Sequence, residues 1–294
     1  MKKSKVVKIL GVPFNGDGTT PAEENPAAAL RSAGITDFPS SVSLTVEDLG
    51  DMEIPAFSGI RDPHTSVLNL SEWKDISHRT AERINSSLCD GDFLILLGGD
   101  CSILLGLFGA FALADMRVGL MMLDGHTDYR VPSSSSSGEP ADLETAVLTG
   151  VGPNQLTSMF GKVPLIDPHD IVVAGYREPD MIKDSKIRHV SAKNLQRTGP
   201  GSLAQRELER LGRTRNLWFH LDVDVLDPEI MPVCFPEPGG LSHEETFLFL
   251  KNCMTSGRFI GISIACYHPK LDPDLHAASK LAEIVTSAIL MGIS

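Results

Sequence analysis

Val118-Gly119-Leu120-Met121-Met122-Leu123-Asp124-Gly125-His126-Thr127-Asp128 is the segment from which the architecture of this chain follows. Val118 to Leu123 is a short apolar run, the signature of a strand buried on both faces, and such strands belong to parallel sheets covered by helices. Side chains alternate along extended backbone, so Asp124, His126 and Asp128 point the same way. A second segment repeats the pattern: the apolar run Leu217 to Leu221 leads into Asp222-Val223-Asp224-Val225-Leu226-Asp227-Pro228. Here Asp222 and Asp224 converge. Carboxyl ends of parallel strands are where open α/β sheets place their sites. Four carboxylates and an imidazole gathered there need a strong counter-charge, which a pair of divalent cations supplies. A lone Asp-x-Asp at a strand end is ordinarily a turn or a cap. Two such clusters, each directly after an apolar strand, favour metal.

Outward from these segments, strand-like and helix-like stretches alternate. Strands are expected at Val6–Val12, Ser43–Glu47, Phe93–Leu97, Val118–Leu123, Ile171–Ala174, Ile187–Val190, Leu217–Leu221 and Phe259–Ile264. Helices are expected at Pro26–Ser32, Val67–Cys89, Ile103–Leu113, Ala141–Thr149, Ser202–Leu211, His243–Thr255 and Pro273–Met291. The alternation predicts one α/β domain over residues 1–294 with a mainly parallel sheet. Neither an internal repeat nor a domain linker is visible. The serine run Ser133 to Ser137 reads by composition as a flexible loop. Its place just after Asp128 puts it over the expected metals, where it serves either to gate substrate or merely to connect.

The 294 residues are 42% hydrophobic and 22% charged, enough apolar material for one large core. A net charge of −12 without a basic patch argues against nucleic acid and anionic membrane as partners. No apolar run is long enough to span a bilayer. The basic start leads through a short run into Pro13 and reads as a first strand rather than a signal peptide. Five cysteines without framework spacing point to a reducing cytoplasm.

Across nearly its whole length the chain resembles the ureohydrolases, the family of arginase and agmatinase. Gly98-Gly99-Asp100-Cys101-Ser102, Asp124-Gly125-His126-Thr127-Asp128 and Asp222-Val223-Asp224-Val225-Leu226-Asp227-Pro228 occur in the family's order. Phe235-Pro236-Glu237-Pro238-Gly239-Gly240-Leu241 is similar to an agmatinase segment. The resemblance implies a three-layer α/β/α fold around a mainly parallel eight-stranded sheet. It also implies two divalent ions, ordinarily Mn2+, a small-molecule substrate, and assembly into homo-oligomers. Asp124 and Asp222 would bridge the ions; Asp128 and Cys101 would complete one, and His126 and Asp224 the other. The implied chemistry is attack by a metal-bridging hydroxide on the carbon of a non-peptide C–N bond in a linear amidine.

Departures from the family pattern bear on the substrate. Cys101 stands where the family has a ligand histidine. It follows Asp100, an expected N-cap, so a helix N-terminus favours its thiolate. A thiolate ligand would soften the site toward Zn, Fe or Co; the other reading is a buried residue that only packs. The family's acid/base histidine on the loop after Asp128 is missing: Ser137 replaces it, or it is deleted. Asp128 and Glu139 are the candidate catalytic residues, Glu139 as a proton shuttle. Cys266 stands where a glutamate ordinarily pairs with the substrate guanidinium. Arg130 occupies a position near the substrate carboxylate and favours an anionic end. Asp180, with Glu178 second, is the candidate contact for a substrate amino group, and Ser137 and Cys266 complete the candidate substrate contacts. The pattern disfavours plain arginine or agmatine. The alternatives are hydrolysis of an N-hydroxyguanidine, formimino or amide compound, as in the hydroxyarginine-hydrolysing branch, or a non-catalytic metal-binding relative.

Overall fold

The computed structural model describes residues 5–18, 24–39, 44–178, 182 and 185–293. Among the described residues there are eight strands: β1 (Lys5–Val12), β2 (Leu44–Asp51), β3 (Phe93–Gly98), β4 (Val118–Leu123), β5 (Ile171–Tyr176), β6 (Arg188–Ser191), β7 (Asn216–Asp222) and β8 (Phe259–Ala265). They form one sheet in the order β2-β1-β3-β8-β7-β4-β5-β6, with every pairing parallel. The helices are α1 (Pro26–Ser32), α2 (Leu70–Ser87), α3 (Leu104–Leu113), α4 (Glu144–Leu148), α5 (Asn154–Thr157), α6 (Ala192–Thr198), α7 (Pro200–Arg210), α8 (His243–Met254) and α9 (His276–Ile293).

Strand alternation divides the interior in two. On β4, Met121 and Leu123 face a core shared with α1 and with α6 to α9, while Leu120 and Met122 face a core shared with α2 to α5. All six β4 residues are buried, as the unbroken apolar run demands. The edge strand β2 is largely exposed and carries Glu47, Asp48 and Asp51, charges that blunt an edge against pairing with another chain. No helix among the described residues is long and apolar enough to cross a membrane.

The strand order positions the site. β7 and β8, late in the chain, insert between β3 and β4, so four strand ends become neighbours. Register aligns them: Leu123 pairs with Leu221, Asp222 with Ala265, and Leu97 with Ile264. Asp124, Asp222, Cys266 and the turn after β3 therefore share one rim of the sheet.

All eight expected strands are found, β2 running on to Asp51. The helices differ more. α2 starts three residues later than expected because Asn69 adopts a left-handed conformation, φ 50°. The expected Ala141–Thr149 helix is split into a 3-10 turn (Pro140–Asp142) and the short α4. The brief α5 and α6 carry too few residues for a visible period.

Candidate metal centre

The turn after β3 is built on backbone contact. Gly99 N–H donates to Val12 O, and a Cβ at Gly99 would sit 2.2 Å from Phe14 O, so only glycine fits. Asp100 caps the following 3-10 turn, its Oδ1 accepting from Ser102 N–H at 3.0 Å while Oδ2 accepts from Gly16 N–H. Cys101 opens that turn and is fully buried. Its thiol is pushed well up by burial first, then by the Cys266 hydrogen bond and the charge of Asp222. Desolvation opposes the thiolate that the turn's N-terminus favours, so the negative form calls for a cation beside it.

Beyond β4, Asp124 Oδ1 accepts from His126 N–H at 2.7 Å, whereas its Oδ2 is buried without a partner. Burial, then the charge of Asp224, raises Asp124 to about 7. Asp128 takes a left-handed backbone (φ 47°) and is likewise raised, by burial and then by Asp124. Beyond β7, Asp222 Oδ1 accepts from Asp224 N–H at 2.8 Å, and Oδ2 lies 2.9 Å from Cys101 Sγ. Burial raises Asp222 as well, helped by Asp224. Asp224 Oδ2 lies 2.8 Å from His126 Nδ1. Burial opposes the charged forms of this pair, but their mutual attraction wins, lifting His126 to about 10 and holding Asp224 low.

Among the described residues four groups of possible ligand atoms result, each with all members within 4.8 Å of one another. Cys101, Asp124, Asp128 and Asp222 form the largest; Asp124, His126 and Asp224 form a second; Cys101 also groups with Asp222 and Cys266, and with Asp124 and His220. Asp124 is shared by the first two, whereas Asp222 is absent from the second. An orphaned buried carboxylate oxygen, a thiol, and carboxyls raised by burial without counter-charge fit divalent cations in both chemistry and spacing.

The sequence reading missed two neighbours. His220, hidden inside the apolar run of β7, is fully buried, and burial lowers it to about 3. Trp218 Nε1–H donates to Ser263 Oγ at 2.9 Å, and Ser263 Oγ lies 2.7 Å from His220 Nδ1. His220 Nε2 lies 3.2 Å from Cys101 Sγ, so the Trp218–Ser263 chain orients the imidazole toward the sulfur. Glu144 is fully buried with Oε2 unpartnered, and burial followed by the charge of Asp124 raises its carboxyl well above the usual range. The signal available in sequence was an acid inside an otherwise uncharged helix, Glu144-Thr145-Ala146-Val147-Leu148.

The loop after Asp128 is held, contrary to its composition. Arg61 donates through Nη1 to Ser136 O at 2.7 Å and through Nη2 to Ser135 O at 2.9 Å. Ser137 Oγ lies 2.9 Å from Asp142 Oδ2 and accepts from Glu139 N–H at 3.2 Å. Glu139 is half-buried and pushed up to about 7 by burial, then by Asp142. Arg61→Ala should free this loop, costing about 1.5–3 kcal/mol for charge-assisted bonds. Hydrogen exchange over 131–139 should rise several-fold, and unchanged exchange would show that the serines hold themselves. Arg130 Nη2 pairs with Glu178 Oε2 at 3.1 Å, and Glu178 Oε1 accepts from Thr127 Oγ1–H at 2.7 Å. Glu178 is thereby a brace for the Asp124–Asp128 turn, and Arg130, about one-third exposed, keeps a face for another anion. Asp180 lies outside the described residues. Cys266 Sγ lies 3.6 Å from Cys101 Sγ.

The chain is similar to known proteins in sequence and in fold. Arginase from Staphylococcus aureus (strain COL) is 27% identical over 97% of each chain. The native structure of arginase from Bacillus caldovelox superposes with a TM-score of 0.87 at 26% identity, covering 98% of both chains. Formimidoylglutamase from Bacillus subtilis subsp. subtilis str. 168 shares the fold, with a TM-score of 0.76 at 19% identity over 98% of this chain and 87% of its own. The model of the arginase family matches residues 5–291, and the chain belongs to that family.

Proposed function

We propose that the chain is a binuclear metal-dependent hydrolase of a non-peptide C–N bond in a linear amidine-type substrate that has an anionic end and is neither arginine nor agmatine. The observation carrying this reading is the pair of ligand sets sharing Asp124, with its buried, unpartnered Oδ2. Cys101, Asp124, Asp128 and Asp222 would hold one ion and Asp124, His126 and Asp224 the other. When bound, such a pair supplies Lewis acidity and acidifies a water held between its members.

The remaining work falls to the protein's side chains. Asp128 would serve as a ligand, and burial, then the charges of Asp124 and Glu144, raise its carboxyl and favour proton uptake there. Glu139, near 7, is matched to pick up and release a proton at neutral pH, although Ser137 beside it is turned into the loop by Asp142. Arg130, steadied by Glu178, would bind the substrate's anionic end. Membership of a family whose named relatives are arginases supports hydrolysis over a binding-only role.

Metal analysis after chelation and reconstitution with Mn or Co should give near two equivalents. Cys101→Ala should weaken one ion strongly and spare the other. A protein that never holds more than one equivalent would refute the binuclear reading. An alanine variant with both affinities intact would reduce Cys101 to packing.

A further inference from the structure

Cys266 follows the end of β8 in left-handed backbone, φ 63°. That conformation costs a non-glycine residue about 1–2 kcal/mol and persists only where its surroundings impose it. Here Cys266 N–H donates to Gly99 O at 2.6 Å, tying the end of β8 to the turn that carries Cys101. The two sulfurs are thereby held 3.6 Å apart. A disulfide requires about 2.05 Å. Two thiolates on one tetrahedral ion, each about 2.3 Å from it, lie about 3.8 Å apart. Two packed thiols also touch near this distance, so spacing alone does not decide. Convergence does: Asp222 offers an oxygen within 4.8 Å of both sulfurs, and His220 aims a ring nitrogen at one of them. A pair of thiols that served only packing would have apolar neighbours rather than a buried carboxylate 2.9 Å away.

We infer that Cys266 is a second sulfur ligand at the Cys101 metal position, which closes as Cys101, Cys266 and Asp222 around a soft divalent ion such as zinc, iron or cobalt. The inference rests on the proposed reading of the rim as a metal centre. It goes further in making the two positions unlike: sulfur-rich at the ends of β3 and β8, oxygen and nitrogen at Asp124, His126 and Asp224. Softness then selects the occupant. A hard ion such as manganese completes the Cys101 position with the oxygens of Asp124 and Asp128, whereas a soft ion draws in Cys266.

The test is a cobalt(II) titration of chelated protein in a phosphine reductant, with absorption followed in the thiolate-to-cobalt charge-transfer region and bound cobalt counted by dialysis. The unmodified protein should show a two-thiolate band, and Cys266→Ser about half that intensity per bound ion. Zinc affinity should fall in Cys266→Ser by at least about 10–100-fold, the scale seen for lesser disturbances of a metal site, with manganese affinity little changed. The cadmium-113 chemical shift of the unmodified protein gives the sulfur count without a variant. Two cobalt ions with a band indifferent to Cys266→Ser, or a one-sulfur cadmium shift, would overturn the inference and leave the metal centre standing. A single cobalt with a two-thiolate band would support the inference and refute the binuclear reading. A protein holding no cobalt would refute both.

Discussion

L-Arginine and agmatine should release urea slowly or not at all from the metal-loaded protein. An alkyl amine is a poor leaving group and needs a proton as the C–N bond breaks, and the family's histidine for that task has no counterpart between Asp128 and Pro140. Loss of a positioned acid typically costs about 10²–10⁴-fold in rate. Ser137, the candidate replacement if the histidine is not simply deleted, is engaged with Asp142 and is far too weak an acid. A guanidinium would also find Cys266 in place of a carboxylate, and neither a neutral thiol nor a sulfur committed to a metal offers it a counter-charge. Substrates with better leaving groups should suffer least, so N-hydroxyguanidines and formimino compounds with a carboxylate end should be turned over faster. The measurement is product release under saturating metal across such a panel. Efficient arginine hydrolysis would overturn the reading. Its loss in Glu139→Gln would then identify Glu139, already near 7, as the acid.

Chelated protein should lose stability as pH rises, whereas metal-loaded protein should not. Asp124 stands at about 7 when folded against an ordinary 3.8, so the folded state keeps a proton that the unfolded chain releases. Stability from that proton is complete below about 4 and gone above about 7. Asp128, Asp222 and Glu144 are raised in the same direction. His126, folded at about 10 against 6.5, adds a loss above neutrality. His220 runs the opposite way, since its folded value of about 3 means stability gained between there and 6.5, but it is one group against several. At 1.36 kcal/mol per unit, the expected loss between pH 5 and 8 is on the order of a few kcal/mol. That corresponds to roughly 5–10 °C in Tm. Thermal melts with chelator at both pH values check it. A Tm that climbs with pH without metal would mean that the acids are ionised and solvated, contrary to their burial.

Legibility tracked physical locality. The strands could be read because burial on both faces writes an apolar run into contiguous residues, as in β4 and β7. Asp124, His126 and Asp128 could be read because extended-chain spacing is itself local. Cys101 and Arg130 stood out only as departures from a family pattern. The helix edges of α2 and α4 were misplaced because Asn69 and the Pro140 turn depend on tertiary contacts.

What the sequence by itself determined was a parallel α/β sheet with two acid clusters at strand ends, since both are consequences of periodicity along one chain. Only the tertiary structure decided which strand ends meet. Insertion of β7 and β8 between β3 and β4 places Cys101 against Asp222, His220 and Cys266, residues more than a hundred positions away in sequence. It also decided that a serine-rich loop is held by Arg61 and that Glu144 is buried with its carboxyl raised, because desolvation and long-range hydrogen bonds belong to the assembled fold and leave no period in the chain.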